Sequence, residues 1–291
     1  MEINLTIRLN EKLYLRNPEE SELGKKILHH SIVLIEQIGF ESFTFKKLAL
    51  EIGTTEAGIY RYFENKHRLL LYLVDWYWSW QEYRLMQETK NVTGPKTKIQ
   101  TAIRLLATKV EDDISTGHIN EKLLHNIVMS EGAKSWLTKH VEADNKDKLF
   151  QPFKDLCARI AEFIKAYNPK YAFPFSLSST MIEMAHSQHF YMQHLPSLTD
   201  FGKKKNEAML MRHQTALIVE ALIGNGKGVR FVMDSWNLGE ESQEIGPGHH
   251  QAAAVFQGHH IRRGNAVLEQ ADLAEVAEGR AFLLQAGDCA E

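Results

Sequence analysis

The 291-residue sequence predicts an all-α protein, in which a three-helix head carrying a helix-turn-helix precedes a larger, all-helical body. Three observations lead there. Apolar residues recur at three- and four-residue spacings from Asn17 to about Leu222. The breaks between these runs are short, near Gly39, Gly53, Asn91–Pro95, Gly117, Gly132, Asn168–Pro174 and Pro196–Gly202. Two helical patterns also flank Gly53 within about twenty residues, the layout of a helix-turn-helix.

Composition narrows the class. With 44% apolar and 24% charged residues the chain reads as globular. No apolar run reaches the ~18 residues of a membrane span, and the N-terminus lacks the compact apolar stretch of a secretory signal. Cys157 and Cys289 are too few for a disulfide framework or a zinc ribbon, so a reducing cytoplasm is expected. Residues 1–222 carry 29 Lys and Arg against 27 Asp and Glu, whereas residues 223–291 carry 5 against 10. A near-neutral body excludes indiscriminate binding to nucleic acid; any such contact must come from a local patch.

The elements follow in order. Residues 1–16 form an arm: Ile3, Leu5, Ile7 and Leu9 alternate with polar residues, a strand-like period with no second strand to pair. The head spans residues 17–66. Asn17-Pro18-Glu19-Glu20 is a helix start, with Ser21 a competing cap one turn later. The first helix buries Ile27, Leu28, Ile32, Ile35 and Ile38 and ends at Gly39. Thr44 caps the second, whose buried face is Phe45, Leu48, Ala49 and Ile52. Gly53 supplies the turn, and Thr55 caps a short third helix with Ile59 and Phe63 turned inward.

Residues Ile27–Leu70 resemble the DNA-binding domain of the TetR family of regulators, position by position. The resemblance rests on Gly39-Phe40, Leu48-Ala49, Gly53, Ile59-Tyr60-Arg61-Tyr62-Phe63 and Lys66. Thr54 stands where the family usually has an apolar residue, Lys47 where a capping acid is common, and Ser31 where a small apolar residue is usual. The resemblance implies a TetR-like fold whose third helix enters the major groove with Thr55, Glu56, Ala57 and Gly58 nearest the bases. It implies that Thr54, Thr55, Tyr60 and Tyr62 hydrogen-bond phosphates or bases, and that Lys46 and Lys66 hold phosphates. Residues 42–68 carry five basic against three acidic side chains, a modest surplus that makes dimerisation necessary for affinity. The partners implied are an operator duplex, a small and apolar effector, and a second copy of the chain, with no membrane.

The body, residues 67–222, holds an aromatic helix with Tyr72, Trp76, Trp80 and Tyr83 on one face, and with Tyr77 and Trp78 besides. Such a stripe is core or effector-site lining. A second cluster spans Thr180–His194, where Met181, Met184 and His189 are candidate ligand contacts. His186 and His189, with His194 and Glu183, also admit a metal reading, but no further ligand completes the set, so neither metal nor cofactor is expected. The family resemblance makes residues 173–194 and 203–222 the dimer interface; the second offers Ala208, Met211, Thr215, Ile218 and Leu222 as an apolar stripe. No nucleophile elbow, phosphate loop or zinc-protease motif is present, so catalysis is not expected. Residues 223–291 carry 10 glycines against 8 in all the rest and reverse its preference for Lys over Arg. They read as an atypical, appended and poorly ordered tail, whose His249, His250, His259 and His260 bind metal only adventitiously.

Overall fold

Both candidate starts of the first helix are used, one after the other. In the computed structural model, which describes residues 7–112, 117–201 and 207–223, the Asn17 side chain accepts from the Glu19 N–H at 3.1 Å and caps a 3₁₀ turn, Pro18–Glu20. Ser21 then accepts from the Gly24 N–H at 3.1 Å and opens α1, Glu22–Ser42. Helix α1 buries Ile27, Leu28, Ile32 and Ile35, while Ile38 is half-buried. Gly39 interrupts the helix with a φ of 74° and a ψ of 156°, but one more helical turn follows before the chain leaves. The described residues all belong to one unit, residues 1–226; the atypical tail beyond Ile223 and its histidines lie outside them.

The stretch expected to be an arm is packed down where it is described. Glu11–Leu13 form a 3₁₀ turn capped by Asn10, and Leu13 is buried. The Leu15 N–H donates to the Tyr62 carbonyl at 2.8 Å, and the Asn10 amide donates to the Asp147 carbonyl at 2.8 Å. Ile3 and Leu5 lie outside the described residues.

The head continues through α2, Phe45–Ile52, and α3, Glu56–Tyr60. Helix α4, Lys66–Thr89, then crosses the molecule's middle. From Leu69 to Trp80 only Ser79 has more than slight exposure, as a helix surrounded by others must. It packs against α5, Pro95–Ala107, α6, Glu121–Glu131, and α8, Gln151–Tyr167, with the short α7, Val141–Lys146, between the last two in the chain. Helices α9, Pro174–His194, and α10, Glu207–Ile223, complete the body. Among the described residues there is no strand.

The apolar stripe expected to face a second copy is largely used by the chain itself. Ile218 is 1% exposed, and with half-buried Thr215 it faces Ile99 and Ile103 of α5. Met211 packs on the same core, Ala208 is exposed, and the Leu222 side chain lies outside the described residues. The reason is that α10 must first cover the open edge of α5 and α9. Among its described side chains, the large apolar residues that stand exposed are Met209 and Leu217.

Candidate functional site

The helix-turn-helix is built from local hydrogen bonds. Thr44 accepts from the Lys47 N–H at 3.2 Å and starts α2. Gly53 sits at φ 69° and ψ 39°, the left-handed conformation that closes a helix. The Thr54 N–H returns to the Ala49 carbonyl at 2.9 Å, and Thr55 caps α3 through the Gly58 N–H at 3.1 Å. Phe45, Leu48, Ala49 and Ile59 are buried between the two helices and α1. The geometry of α3 is therefore fixed from both ends.

This frame leaves Thr55, Glu56, Ala57 and Tyr60 exposed on α3, with Lys46 exposed on α2 and Thr54 half-buried. Tyr60 is 47% exposed, its ring edge-on to Phe45 at 5.0 Å, so packing aims its hydroxyl outward. Arg61 is exposed as well. These side chains form one polar surface with a cation on its flank.

Three expected contact residues are engaged elsewhere. Tyr62 is 2% exposed: its hydroxyl shares a 2.7 Å hydrogen bond with Ser21, and the Arg16 guanidinium lies over its ring. The chain has left α3 by residue 61, so position 62 points into the head rather than along the outward face. Lys66 directs its ammonium at the carbonyls of Phe40 (3.0 Å), Glu41 (3.1 Å) and Phe43 (3.2 Å), closing the frayed end of α1. Those three acceptors use all three protons of an ammonium, leaving none for a phosphate. Gly58 is buried, and a Cβ there would lie 3.1 Å from Thr54 Oγ1, so it serves packing under the cap rather than approach to a duplex.

In the body, a cavity of about 240 Å³ opens beside α4, lined by Val74, Asp75, Trp78, Trp136, Phe153 and Glu183 among others. None of the six residues expected to contact a ligand lines it. Trp76 and Trp80 are buried and stacked at 6.3 Å, with Arg84 over Trp80. Met181 and His189 are buried, and Met184 and Tyr83 are half-buried. In α4 the cavity falls to Asp75 and Trp78, on a different side from Trp76 and Trp80, because core packing took the larger stripe. Sequence reasoning missed Asp75, although it is the only charge between Leu69 and Trp80.

A cluster of buried imidazoles lies nearby. Tyr77 Oη and His125 Nδ1 are 2.8 Å apart, and Gln81 donates to the same hydroxyl at 2.7 Å. His186 stacks on Trp78 at 4.9 Å, and His189 lies edge-on to His125 at 5.7 Å. Burial pushes His125 down to about 3 and His186 well below its ordinary value, so both rings are neutral near pH 7. Among the described residues no group of three or more His, Cys, Asp or Glu is placed to hold a metal ion. His194 stands apart, exposed and against Phe190.

Head and body meet in a clasp. Glu131 accepts from the Phe40 N–H at 3.0 Å, just past the Gly39 break. Lys134 bridges Glu131 (2.7 Å) and Glu41 (2.8 Å). The 3₁₀ turn Gly132–Ser135 connects this clasp to Ser135 and Trp136 on the cavity wall. Within the body, Arg68 of α4 and Asp144 of α7 lie 3.1 Å apart.

Comparison with known proteins agrees with this architecture. Residues 27–73 match the model of a family described as bacterial regulatory proteins, tetR family. Among solved structures, a regulatory protein in the tetR family from Rhodococcus RHA1 superposes with a TM-score of 0.51 at 9% identity, covering 69% of this chain and 97% of that one. The transcriptional regulator FadR from Bacillus subtilis, in complex with stearoyl-CoA, gives 0.50 at 15% identity, covering 67% and 97%. At these identities the likeness is one of fold. No curated protein sequence matches the chain. Among the described residues no helix is long and apolar enough to cross a membrane. Residues 27–73 thus carry the N-terminal domain described for the tetR family, and the helical body behind them has the fold of the regulators it superposes on.

Proposed function

We propose that the chain is a dimeric, cytoplasmic repressor that grips a palindromic operator through α3 and lets go when a small molecule occupies its body. The observation that carries this reading is the outward face of α3. Thr55, Glu56, Ala57 and Tyr60 stand exposed on a helix whose position is fixed by caps and core, beside the exposed Lys46. A rigid, exposed polar face on a short helix is what major-groove readout requires. Glu56 suits a cytosine amino group, and Ala57 allows close approach. Thr54, Thr55, Tyr60 and Lys46 suit phosphates. Two such heads are needed, because one carries few phosphate contacts once Tyr62 and Lys66 are engaged elsewhere. The outer faces of α9 and α10, with Met209 and Leu217 exposed, are the surface for a second copy. The protein acts by binding, without catalysis or a cofactor.

Release follows from a ligand that prefers one head–body arrangement over another. The FadR structure, in complex with stearoyl-CoA, supports a small-molecule ligand for a regulator of this fold. Selection of bound duplexes from a random DNA pool, with the full chain and its Tyr60→Ala variant, tests the reading. An enriched palindrome lost in the variant is expected. No enrichment even at low salt would mean a ligand-binding protein of this fold that does not bind DNA.

A further inference from the structure

The cavity beside α4 holds an unbalanced charge. Asp75 is 2% exposed, and its Oδ2 has no hydrogen-bond partner. Among the described residues no cation is paired with it, and burial pushes its carboxyl up to about 8. An ionisable group buried without a partner is costly, and native proteins keep one where something else completes it. Around it stand aromatic rings: Phe153 lies edge-on to Trp78 at 4.9 Å and stacks on Trp136 at 5.8 Å. Glu183, itself an exposed residue, adds a second carboxyl to the wall, raised from its ordinary value by partial desolvation. Lys154 is the one basic residue lining the cavity, and its ammonium is held by the Asn145 side chain.

We infer that this cavity takes a compact organic cation: an ammonium group on a small apolar body, seated against the rings of Trp78, Trp136 and Phe153 and paired with Asp75. Aromatic faces and a buried carboxylate are the chemistry that recognises quaternary ammonium groups. At about 240 Å³ the site is smaller than the roughly 300–1,000 Å³ of drug-sized pockets. It also lacks the run of basic residues that the phosphates of an acyl thioester of coenzyme A would need. The ligand class rests on the effector reading above but can fail separately from it.

Binding also moves a proton. Below about pH 8 the empty site holds Asp75 as the neutral acid, so an arriving cation displaces that proton to solvent and leaves a carboxylate–ammonium pair. The groups facing the cavity are Asp75 on α4, Lys154 on α8 and Glu183 on α9, with His186 behind Trp78 neutral throughout. Cation affinity therefore rises with pH, by at most about tenfold per unit, and levels off above about 8.

The test titrates the full-length protein with benzyltrimethylammonium, its uncharged carbon isostere neopentylbenzene, and phenylmethanesulfonate, following tryptophan fluorescence. Calorimetry in two buffers counts the protons released by the cation. The cation is expected to bind about tenfold or more tighter than the isostere, with proton release at pH 7. Asp75→Asn should abolish that preference while retaining the isostere, which shows the cavity still folded; Glu183→Gln should reduce it less. Equal or better binding of the isostere, preference for the sulfonate, an undiminished preference in Asp75→Asn, or no binding by any of the three would overturn the inference. DNA affinity is read separately. Tight cation binding that leaves it unchanged refutes the effector reading alone; release by the isostere but not the cation refutes the ligand class alone.

Discussion

Replacing Lys66 with Met asks whether its ammonium holds the protein or the DNA. The ammonium donates to the carbonyls of Phe40, Glu41 and Phe43 at 3.0–3.2 Å and lies 4.7 Å from the Phe40 ring centroid. Phe40 and Glu41 lie in the last turn of α1, where no helical N–H can reach their carbonyls, and Phe43 is the residue that caps it. Hydrogen bonds to a charged group contribute about 1.5–3 kcal/mol each when well shielded. Here the side chain is half-buried and water can replace part of each bond, so the net loss is about 2–3 kcal/mol for all three. In a unit of this size that lowers Tm by roughly 5–10 °C. The assay pairs urea unfolding with DNA titrations across salt concentrations, because each phosphate contact adds about 0.9 to the slope of log affinity against log salt. Lys66→Met should lose stability and keep the wild-type slope; Lys46→Met should do the reverse. A Lys66→Met protein of unchanged stability that loses a unit of slope would refute the capping role.

Four further substitutions separate the remaining roles. Tyr60→Ala should weaken DNA binding about tenfold or more with little change in unfolding. Tyr62→Phe should leave DNA affinity alone and cost about 1 kcal/mol for the lost Ser21 bond, read by urea denaturation. Asp75→Asn should stabilise the ligand-free protein at neutral pH. With a folded value near 8 against about 3.9 unfolded, the native state keeps a proton that the unfolded state has released. Wild-type stability therefore falls by up to about 1.4 kcal/mol per pH unit between about pH 4 and 8. Relative to the Asn variant that slope should vanish, as unfolding curves across this range would reveal. Gly39→Ala should cost about 1–3 kcal/mol, because a φ of 74° with a ψ of 156° suits almost only glycine.

The head was legible because its signals are local. Caps at Asn17, Ser21, Thr44 and Thr55, and the turn at Gly53, each act within three or four residues, and all of them are used. The contact list failed where a partner is distant in sequence. Tyr60 and Tyr62 look equivalent on paper, and only Ser21, 41 residues away, turns the second inward. The acceptors of Lys66 lie 23–26 residues back. The cavity failed for another reason. Large, regularly spaced rings drew attention to Trp76 and Trp80, which fill core because they bury the most area. The informative residue was the misfit, a lone Asp75 in an apolar run, since an unpaired buried charge is the exception that asks for an explanation. His125 carried no comparable signal: its partners Tyr77, His186 and His189 come from two other helices.

Two of the connections between body and head start at the cavity wall. Helix α4 carries Lys66, which closes the end of α1, and Asp75 and Trp78, which wall the cavity, on one continuous rod. The turn Gly132–Ser135 carries the Glu131–Lys134 clasp at one end and leads into Trp136 at the other. A ligand that pushes Trp78 and Trp136 apart therefore acts on both ties at once. The energy required is modest: weakening DNA affinity a hundredfold needs about 2.7 kcal/mol of preference between the two arrangements. That is close to what the Lys66 bonds alone contribute, and a newly formed, desolvated ion pair at Asp75 is of the same order. If the proposed switch operates, the reverse must hold too, because linkage is reciprocal: bound DNA would weaken the ligand by the same factor as the ligand weakens DNA. In the proposed switch the Gly39 break, at φ 74° and ψ 156°, is where the clasped last turn of α1 would move relative to the helix that holds the head's core.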